Sequence, residues 1–446
     1  MDAFVWGAAT AAYQIEGAVR EDGRGASIWD RFCAVAGNIA NGESGAVACD
    51  HYHRMDEDVE LLRQLGVDAY RFSIAWPRVL PQGTGRVNQR GLDFYRRLVD
   101  RLLEAGVRPY ATLYHWDLPA ALHDRFGGWI GRETAYAFAE LTEAVSRALG
   151  DRVAAWITLN EPWVCAWLGY ARGEHAPGYR DPQLGLQAAH HLLLAHGLAV
   201  PVLRRNAPRA EVGVTLNFSP IAPASSAPLD VAAAEAADVN LNLWFLDRVF
   251  GRGYQEHTVP PPLKLDALTV AEGDMAAIAA PIDFLGVNYY TRFFVAHDAQ
   301  GGNPFGVALE APAERRTTMG WEVYPQGLFE TLVRIARRHA PRRIYVTENG
   351  MALPDRPDAE GGVHDAERIA YLEAHVIQAR RAIAAGVPLA GYFVWSLLDN
   401  FEWAEGYRQR FGLIYVDYAT QRRIVKDSGR WYTRMIAASR RTAGAG

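Results

Sequence analysis

Cysteine is scarce in this chain, and the little there is argues against a covalent framework. Cys33, Cys49 and Cys165 are odd in number and widely spaced, which fits a reducing compartment rather than a disulfide scaffold. Charge of one sign is missing too. With 46 Lys and Arg against 51 Asp and Glu, the net charge of −5 advertises neither a nucleic acid nor a membrane as partner. The opening MDAFVWGAAT has no basic leader region, and no apolar run reads as long enough to cross a bilayer, so a cytoplasmic location is expected. No glycine-rich phosphate turn follows the first strand-like run; GRG at Gly23–Gly25 is a weak match in the wrong place.

What is present describes a soluble globular protein: 50% hydrophobic and 22% charged residues, with 13 Trp, 20 Tyr and 17 Phe. Aromatic side chains fill cores first, but exposed Trp and Tyr faces also suit the C–H faces of sugars. The 446 residues suffice for two or three domains, or for one large α/β barrel with insertions.

Strand-like runs alternate with amphipathic helices from end to end. Helical spacing is clear at Leu92, Tyr95, Leu98, Val99, Leu102 and Leu103, at Leu328, Leu332 and Ile335, and at Ile369, Leu372, Val376 and Ile383. Three helices hand over to a strand in the same way, through Gly66, Gly106 and Gly386, each followed by Val. A glycine there fits the helix-ending position that needs positive φ. This repeated junction argues for one α/β architecture over residues 1–446. Eight strands are predicted: Phe4–Gly7 running on to Ile15, Ala69–Ala75, Pro109–Tyr114, Ala155–Leu159, Val212–Asn217, Phe284–Tyr289, Ile344–Thr347 and Leu389–Ser396. Eight strands with intervening helices predict a single (β/α)₈ TIM barrel with extended βα loops; a doubly wound open sheet is the runner-up, disfavoured by the missing phosphate turn. Pro220–Pro228, His257–Leu263, His297–Thr318 and Leu353–Val363 read as irregular insertions in those loops.

Two stretches, ITLNEP and YVTENG, each run an apolar β-favouring segment into a glutamate, Glu161 and Glu348. Two acids facing across a pocket are the minimum equipment for cleaving a glycosidic bond, one protonating the leaving oxygen while the other attacks or activates water. Alone, either glutamate is more often just a solvent-facing strand end. In a barrel, however, the active site is built at the C-terminal ends of the strands. Those ends supply Gln14, Arg71, His115 with Trp116, Asn160 with Glu161, Asn217, Asn288 with Tyr290, Glu348, and Trp395 with Glu402 and Trp403. Every one offers a group that can bond a hydroxyl, hold a carboxylate or stack on a sugar.

The motifs WGAATAAYQIEG, CDHYHRMDEDVELL, YRFSIAWPR, LYHWDLP, WITLNEPW, GEHAPG, FLGVNYYTR, MGWEVYPQGL, YVTENG, GYFVWSLLDNFEWAEGY and RFGLIYVDY span nearly the whole chain. In this order they resemble glycoside hydrolase family 1, and specifically its bacterial β-glucosidases. The resemblance implies Glu161 as general acid/base and Glu348 as nucleophile of a retaining double displacement, which needs carboxyls about 5–5.5 Å apart. It implies that Arg71 and Tyr290 keep Glu348 charged, that the charge of Glu348 keeps Glu161 protonated, and that Asn160 bonds the sugar 2-hydroxyl. Gln14, His115, Trp116, Asn288, Glu402 and Trp403 match residues around the terminal sugar, with Trp395 as the platform beneath it. Trp321 and His175 are assigned to the outer, aglycone side. Glu402 stands where the 6-phospho-glycosidase branch typically has serine, and Glu161 where plant thioglucosidases have glutamine, so neither branch is expected. The chain reaches WGAAT by Trp6, with fewer residues ahead of it than family members usually carry, and Glu405 stands where aromatic residues also occur.

The resemblance assigns no metal and no cofactor. His51 and His53 form an H-x-H pair without a third ligand and read as structural or surface residues. His190 and His191 read as packing residues, and Cys165 as an inert buried thiol. The expected activity is that of a retaining exo-β-glucosidase on cellobiose-like disaccharides and aryl β-glucosides. β-Galactosidase, β-fucosidase or transglycosylase activity is the alternative within the class, and a non-catalytic sugar-binding homologue is the alternative outside it. The expected partner is a small-molecule β-glycoside, with a homo-oligomer left open.

Overall fold

Segments such as AWITLN, FLGVNY and IYVTEN bury every residue rather than alternate ones. That is the pattern of parallel strands covered on both faces. The computed structural model describes residues 4–255, 263–301, 303, 305–310 and 315–443. In it, eight parallel strands close into a barrel in sequence order. They are β1 (Val5–Ala9), β2 (Ala69–Ser73), β3 (Arg108–Tyr114), β4 (Ala155–Asn160), β5 (Glu211–Phe218), β6 (Phe284–Tyr289), β7 (Ile344–Asn349) and β8 (Leu389–Trp395). The principal helices outside them are α1 (His51–Leu65), α2 (Gln89–Glu104), α3 (Glu133–Leu149), α4 (Pro182–Asn206), α5 (Trp244–Val249), α6 (Gln326–His339), α7 (Ala366–Ala384) and α8 (Asp427–Ala443). The TIM barrel expected from strand count and junctions is therefore present. Gly66, Gly106 and Gly386 take φ of 70°, 74° and 87°, as the helix-ending reading requires.

Several boundaries differ. The first strand stops at Ala9, and Ala12–Ile15 is a short helical turn pinned by Ala12 N–H donating to Ser73 Oγ at 2.7 Å. The second strand ends at Ser73 and the eighth at Trp395. Two of the irregular stretches hold strands: Ile221–Pro223 pairs in parallel with Phe293–Ala296, which pairs antiparallel with Val307–Leu309. Ile221–Pro223 and Val307–Leu309 are three residues long with no buried residue, too short for a strand periodicity to show in the sequence. Of His257–Leu263, only Leu263 lies within the described residues. Leu103 and Ile383, counted in the buried stripes of α2 and α7, are each 42% exposed near helix ends, past the edge of the stripe.

The reading that no apolar run is long enough to cross a bilayer needs correcting. The 25 residues of α4 pass that test by length and composition, with mean hydropathy 1.3. Their apolarity has a tertiary cause, since 78% of the apolar window is buried within the fold. His190, His191 and His196 are buried in this helix. His190 bonds Tyr254 and Asp274, His191 bonds the Trp129 carbonyl, and His196 bonds Thr158.

Candidate active site

Both glutamate-bearing strands break step where they reach the barrel mouth. The β4 ladder shifts register between Ile157 and Asn160, and the β7 ladder between Val346 and Glu348. Such irregularities re-aim side chains. Glu348 lies within β7, while Glu161 is the first residue after β4 and takes a left-handed φ of 44°. Trp116 and Trp403 are left-handed as well, at 76° and 52°. Three non-glycine residues in this region, each costing on the order of 1 kcal/mol or more, line one pocket. After Glu348 the chain needs Gly350, because a Cβ there would meet the Trp395 carbonyl oxygen at 1.8 Å.

The pocket is about 430 Å³ and opens at the C-terminal end of the barrel. Its wall includes His115, Trp116, Glu161, His175, Asn217, Asn288, Tyr290, Trp321, Glu348, Trp395, Glu402 and Trp403. Sequence reasoning therefore brought twelve lining residues together. Gln14, Arg71 and Asn160 stand buried behind this wall and act through it.

The two acids sit in unlike surroundings. Glu348 Oε1 accepts from Arg71 Nη1 at 2.6 Å, and its Oε2 accepts from the Tyr290 hydroxyl at 2.6 Å. Arg71 is fully buried, so the ion pair is made away from water. Glu161 has no cation against it; its Oε1 accepts from Asn288 Nδ2 at 2.6 Å. Burial first, and the Glu348 charge second, push the Glu161 carboxyl up to about 8, against the opposing pull of Asn288 and Arg71. Loss of water thus outweighs the neighbouring charge that alone was expected to keep Glu161 protonated.

Asn160 ties the floor together. Its Oδ1 accepts from Arg71 Nη2 and from Asn288 Nδ2, and its Nδ2 donates to His115 Nε2 at 3.0 Å. The His115 proton is therefore on Nδ1, a buried donor without a protein partner. Burial, and then Arg71, hold this imidazole well below its ordinary pKa, so it is neutral. Gln14 donates to Asn400, to the Phe401 carbonyl and to Glu402, leaving its own Oε1 buried and unpartnered. Burial and the Glu348 charge push Glu402 up to about 8 as well.

Aromatic rings frame these groups. His115 stacks on Trp395 at 5.8 Å, and Trp403 packs on Trp116 and Trp29 at 4.6 Å each. His175 lies against Trp29 and Trp116, on the Trp403 side. Trp321 packs on Tyr290 and Phe411. Missed in the sequence were Trp163, Leu168, Arg172, Leu241 and Met319, which also line the pocket. Trp163 and Met319 stand in the NEPW and MGWEV motifs and were within reach there; Leu168 and Leu241 lie on the π-helical segments Val164–Ala171 and Val239–Leu243, with Arg172 just after the first, and no local pattern encodes their approach to the pocket. Among the described residues no cluster of three or more His, Cys, Asp or Glu is placed to hold a metal ion. His51 is instead bonded to Asp58, and His53 to Asp50 and Glu21.

A barrel mouth with paired acids, neutral hydroxyl-bonding groups and aromatic walls has the equipment of a glycosidase. The family model described as Glycosyl hydrolase family 1 matches residues 1–441. The chain belongs to glycosyl hydrolase family 1. Among relatives of this glycoside hydrolase, Beta-glucosidase A of Thermotoga maritima is 48% identical over 98% of this chain and 97% of its own. A bifunctional beta-D-glucosidase/beta-D-fucosidase of Bifidobacterium breve is 47% identical over 97% of each. A solved structure of the beta-glucosidase from Thermotoga maritima in complex with glucoimidazole superposes with a TM-score of 0.94 at 48% identity, covering 98% of this chain and 99% of that one.

Proposed function

We propose that this family 1 hydrolase is a retaining exo-β-glucosidase, one barrel domain that removes terminal non-reducing β-D-glucosyl residues from cellobiose-type disaccharides and aryl β-glucosides. The observation that carries the reading is the asymmetry of the two acids: Glu348 is bound by a guanidinium and a phenol, while Glu161 is desolvated with one amide donor. In the first step the Glu348 carboxylate attacks the anomeric carbon while Glu161 gives its proton to the departing glycosidic oxygen. A glycosyl ester on Glu348 forms, with inversion. Its formation removes the charge that helped raise Glu161, which then takes a proton from water as that water attacks, and the second inversion restores the β configuration. Tyr290 and Arg71 hold the carboxylate for attack and receive it again on release.

Glu402 supports an unphosphorylated sugar. The only Lys or Arg among the described lining residues is Arg172, which sits over the Trp163 ring and not beside Glu402, so a 6-phosphate would find no cation there. The Bifidobacterium relative, named for both activities, supports β-fucosidase as a second activity of the same pocket. We place the protein in the cytoplasm, in keeping with three buried free cysteines, and place it in the breakdown of cellulose-derived sugars.

Labelling with a 2-fluoro-glucosyl inactivator followed by peptide mapping tests mechanism and sugar together. One equivalent on Glu348 is expected, faster with the gluco than the galacto reagent. Label on another residue, or none, would overturn the reading. Glu402→Ser is expected to lower kcat/KM for β-glucosides about 10²–10³-fold through lost hydrogen bonds to the sugar, and an unchanged value would remove Glu402 from the sugar site.

A further inference from the structure

Four residues of the pocket wall come from two segments far apart in the sequence. Met319 and Trp321 stand on a tight turn, and Glu405 and Phe411 on the stretch that follows β8. Within the turn, Thr317 N–H donates to the Trp321 carbonyl and Gly320 N–H to the Thr317 carbonyl, both at 2.9 Å, with Gly320 at a φ of 77°. Trp321 meets the second segment through Phe411, their ring centroids 6.2 Å apart. Apolar packing is non-directional, so this ring contact alone leaves the two segments free to slide past one another.

Gln409 supplies the directional contact. It is buried, it stands behind the wall rather than in it, and it precedes Phe411 by two residues. Its Oε1 accepts from the Thr318 hydroxyl at 2.6 Å, and its Nε2 donates to the Thr318 carbonyl at 3.3 Å and to Glu405 Oε2 at 3.2 Å. One amide thus grips Thr318 at both its hydroxyl and its carbonyl while bracing a wall residue of its own segment. The reversed amide would set its oxygen against a carbonyl and a carboxylate, which only accept, so the partners fix its orientation. Glu405 is held in turn by Arg408 Nε at 2.5 Å. Neither hydrogen-bond partner of Gln409 bonds Glu161 or Glu348, whose partners are Asn288, Arg71 and Tyr290.

We propose that Gln409 is a positioning residue for the leaving group. By fastening Thr318 to the stretch that carries Glu405 and Phe411, it sets where Met319 and Trp321 stand, and so how the aglycone fits. It does so without touching the groups that hold the terminal sugar or act on the bond. The proposal rests on the glucosidase reading of the pocket.

Gln409→Leu keeps the size of the side chain and removes all three bonds. The test compares kcat/KM for cellobiose and for 4-nitrophenyl β-glucoside with that for β-glucosyl fluoride, whose one-atom leaving group does not extend to Trp321. The first two are expected to fall at least about fivefold, and the fluoride to stay within about twofold of wild type. A variant that is merely less folded would lower all three by one factor. Thr318→Val, at an exposed position, is expected to shift the same ratio in the same direction, and it decides alone if Gln409→Leu does not fold. Gln409→Leu with Thr318→Val is expected to lose no more than Gln409→Leu by itself, because both changes break one contact. Equal losses on all three substrates, unchanged values, or losses that add in the double variant would overturn the role of Gln409. A wild type that hydrolyses none of the three would instead overturn the glucosidase reading.

Discussion

Glu348→Gly is expected to lose at least about 10⁴-fold in kcat and to regain turnover with azide, giving the α-glycosyl azide. The expectation follows from which carboxylate is paired. Arg71 and Tyr290 both bond Glu348 and hold it as a carboxylate, the form the proposed attack on the anomeric carbon requires, and on that reading its removal opens that face to a small anion. Formation of the β-azide would place the nucleophile elsewhere. The variant should also report on Glu161. Burial keeps that carboxyl raised, but the second contribution, the Glu348 charge, disappears. Because protonated Glu161 assists departure, the alkaline limb of the azide reaction should move to lower pH than that of wild-type hydrolysis. The same variant leaves a buried guanidinium without its partner, a change worth about 3–5 kcal/mol, so a depressed Tm is expected alongside the lost activity.

Glu161→Gln carries the second large effect. Loss of a general acid costs about 10²–10⁴-fold where the leaving group needs its proton. Cellobiose and alkyl glucosides should therefore fall by that amount, and glycosylation by a dinitrophenyl glucoside by far less; equal losses across both would count against the acid role. In the wild type, kcat/KM should decline as pH rises through about 8, where Glu161 ionises, and in the variant that limb should vanish. Stability should fall with rising pH as activity does, but starting from lower pH. A carboxyl raised from 4.5 to about 8 in the folded protein favours the fold fully below its unfolded pKa, and that contribution is lost as pH climbs toward 8. Glutamine cannot ionise. The Tm difference between Glu161→Gln and wild type should thus widen between pH 5 and pH 8, and a constant difference would show that burial of this charge is not costly.

The barrel was legible because its strands must be buried on both faces and its helices on one. Those requirements write themselves as continuous apolar runs and as 3.6-residue stripes ended by Gly66, Gly106 and Gly386. The strands Ile221–Pro223 and Val307–Leu309 were not legible, since neither has a buried residue to mark it. The long apolar α4 misled in the opposite direction: its sequence reports burial, and only packing tells a core helix from a membrane span.

The sequence by itself pointed to glycosidic-bond cleavage, because that chemistry requires two carboxyls and the chain brings one at the end of each of two barrel strands; double displacement came from the family resemblance. The sequence also indicated twelve groups that line the pocket, which lie at or near the strand ends. The resemblance named the protonated carboxyl, but the leading cause of its protonation was decided only by the tertiary structure. Burial, the leading cause at Glu161, belongs to the assembled pocket and not to any residue in it. Part of the pocket wall was decided there too. Leu168, Arg172 and Leu241 reach it from segments after β4 and β5, a long-range outcome that no local spacing records.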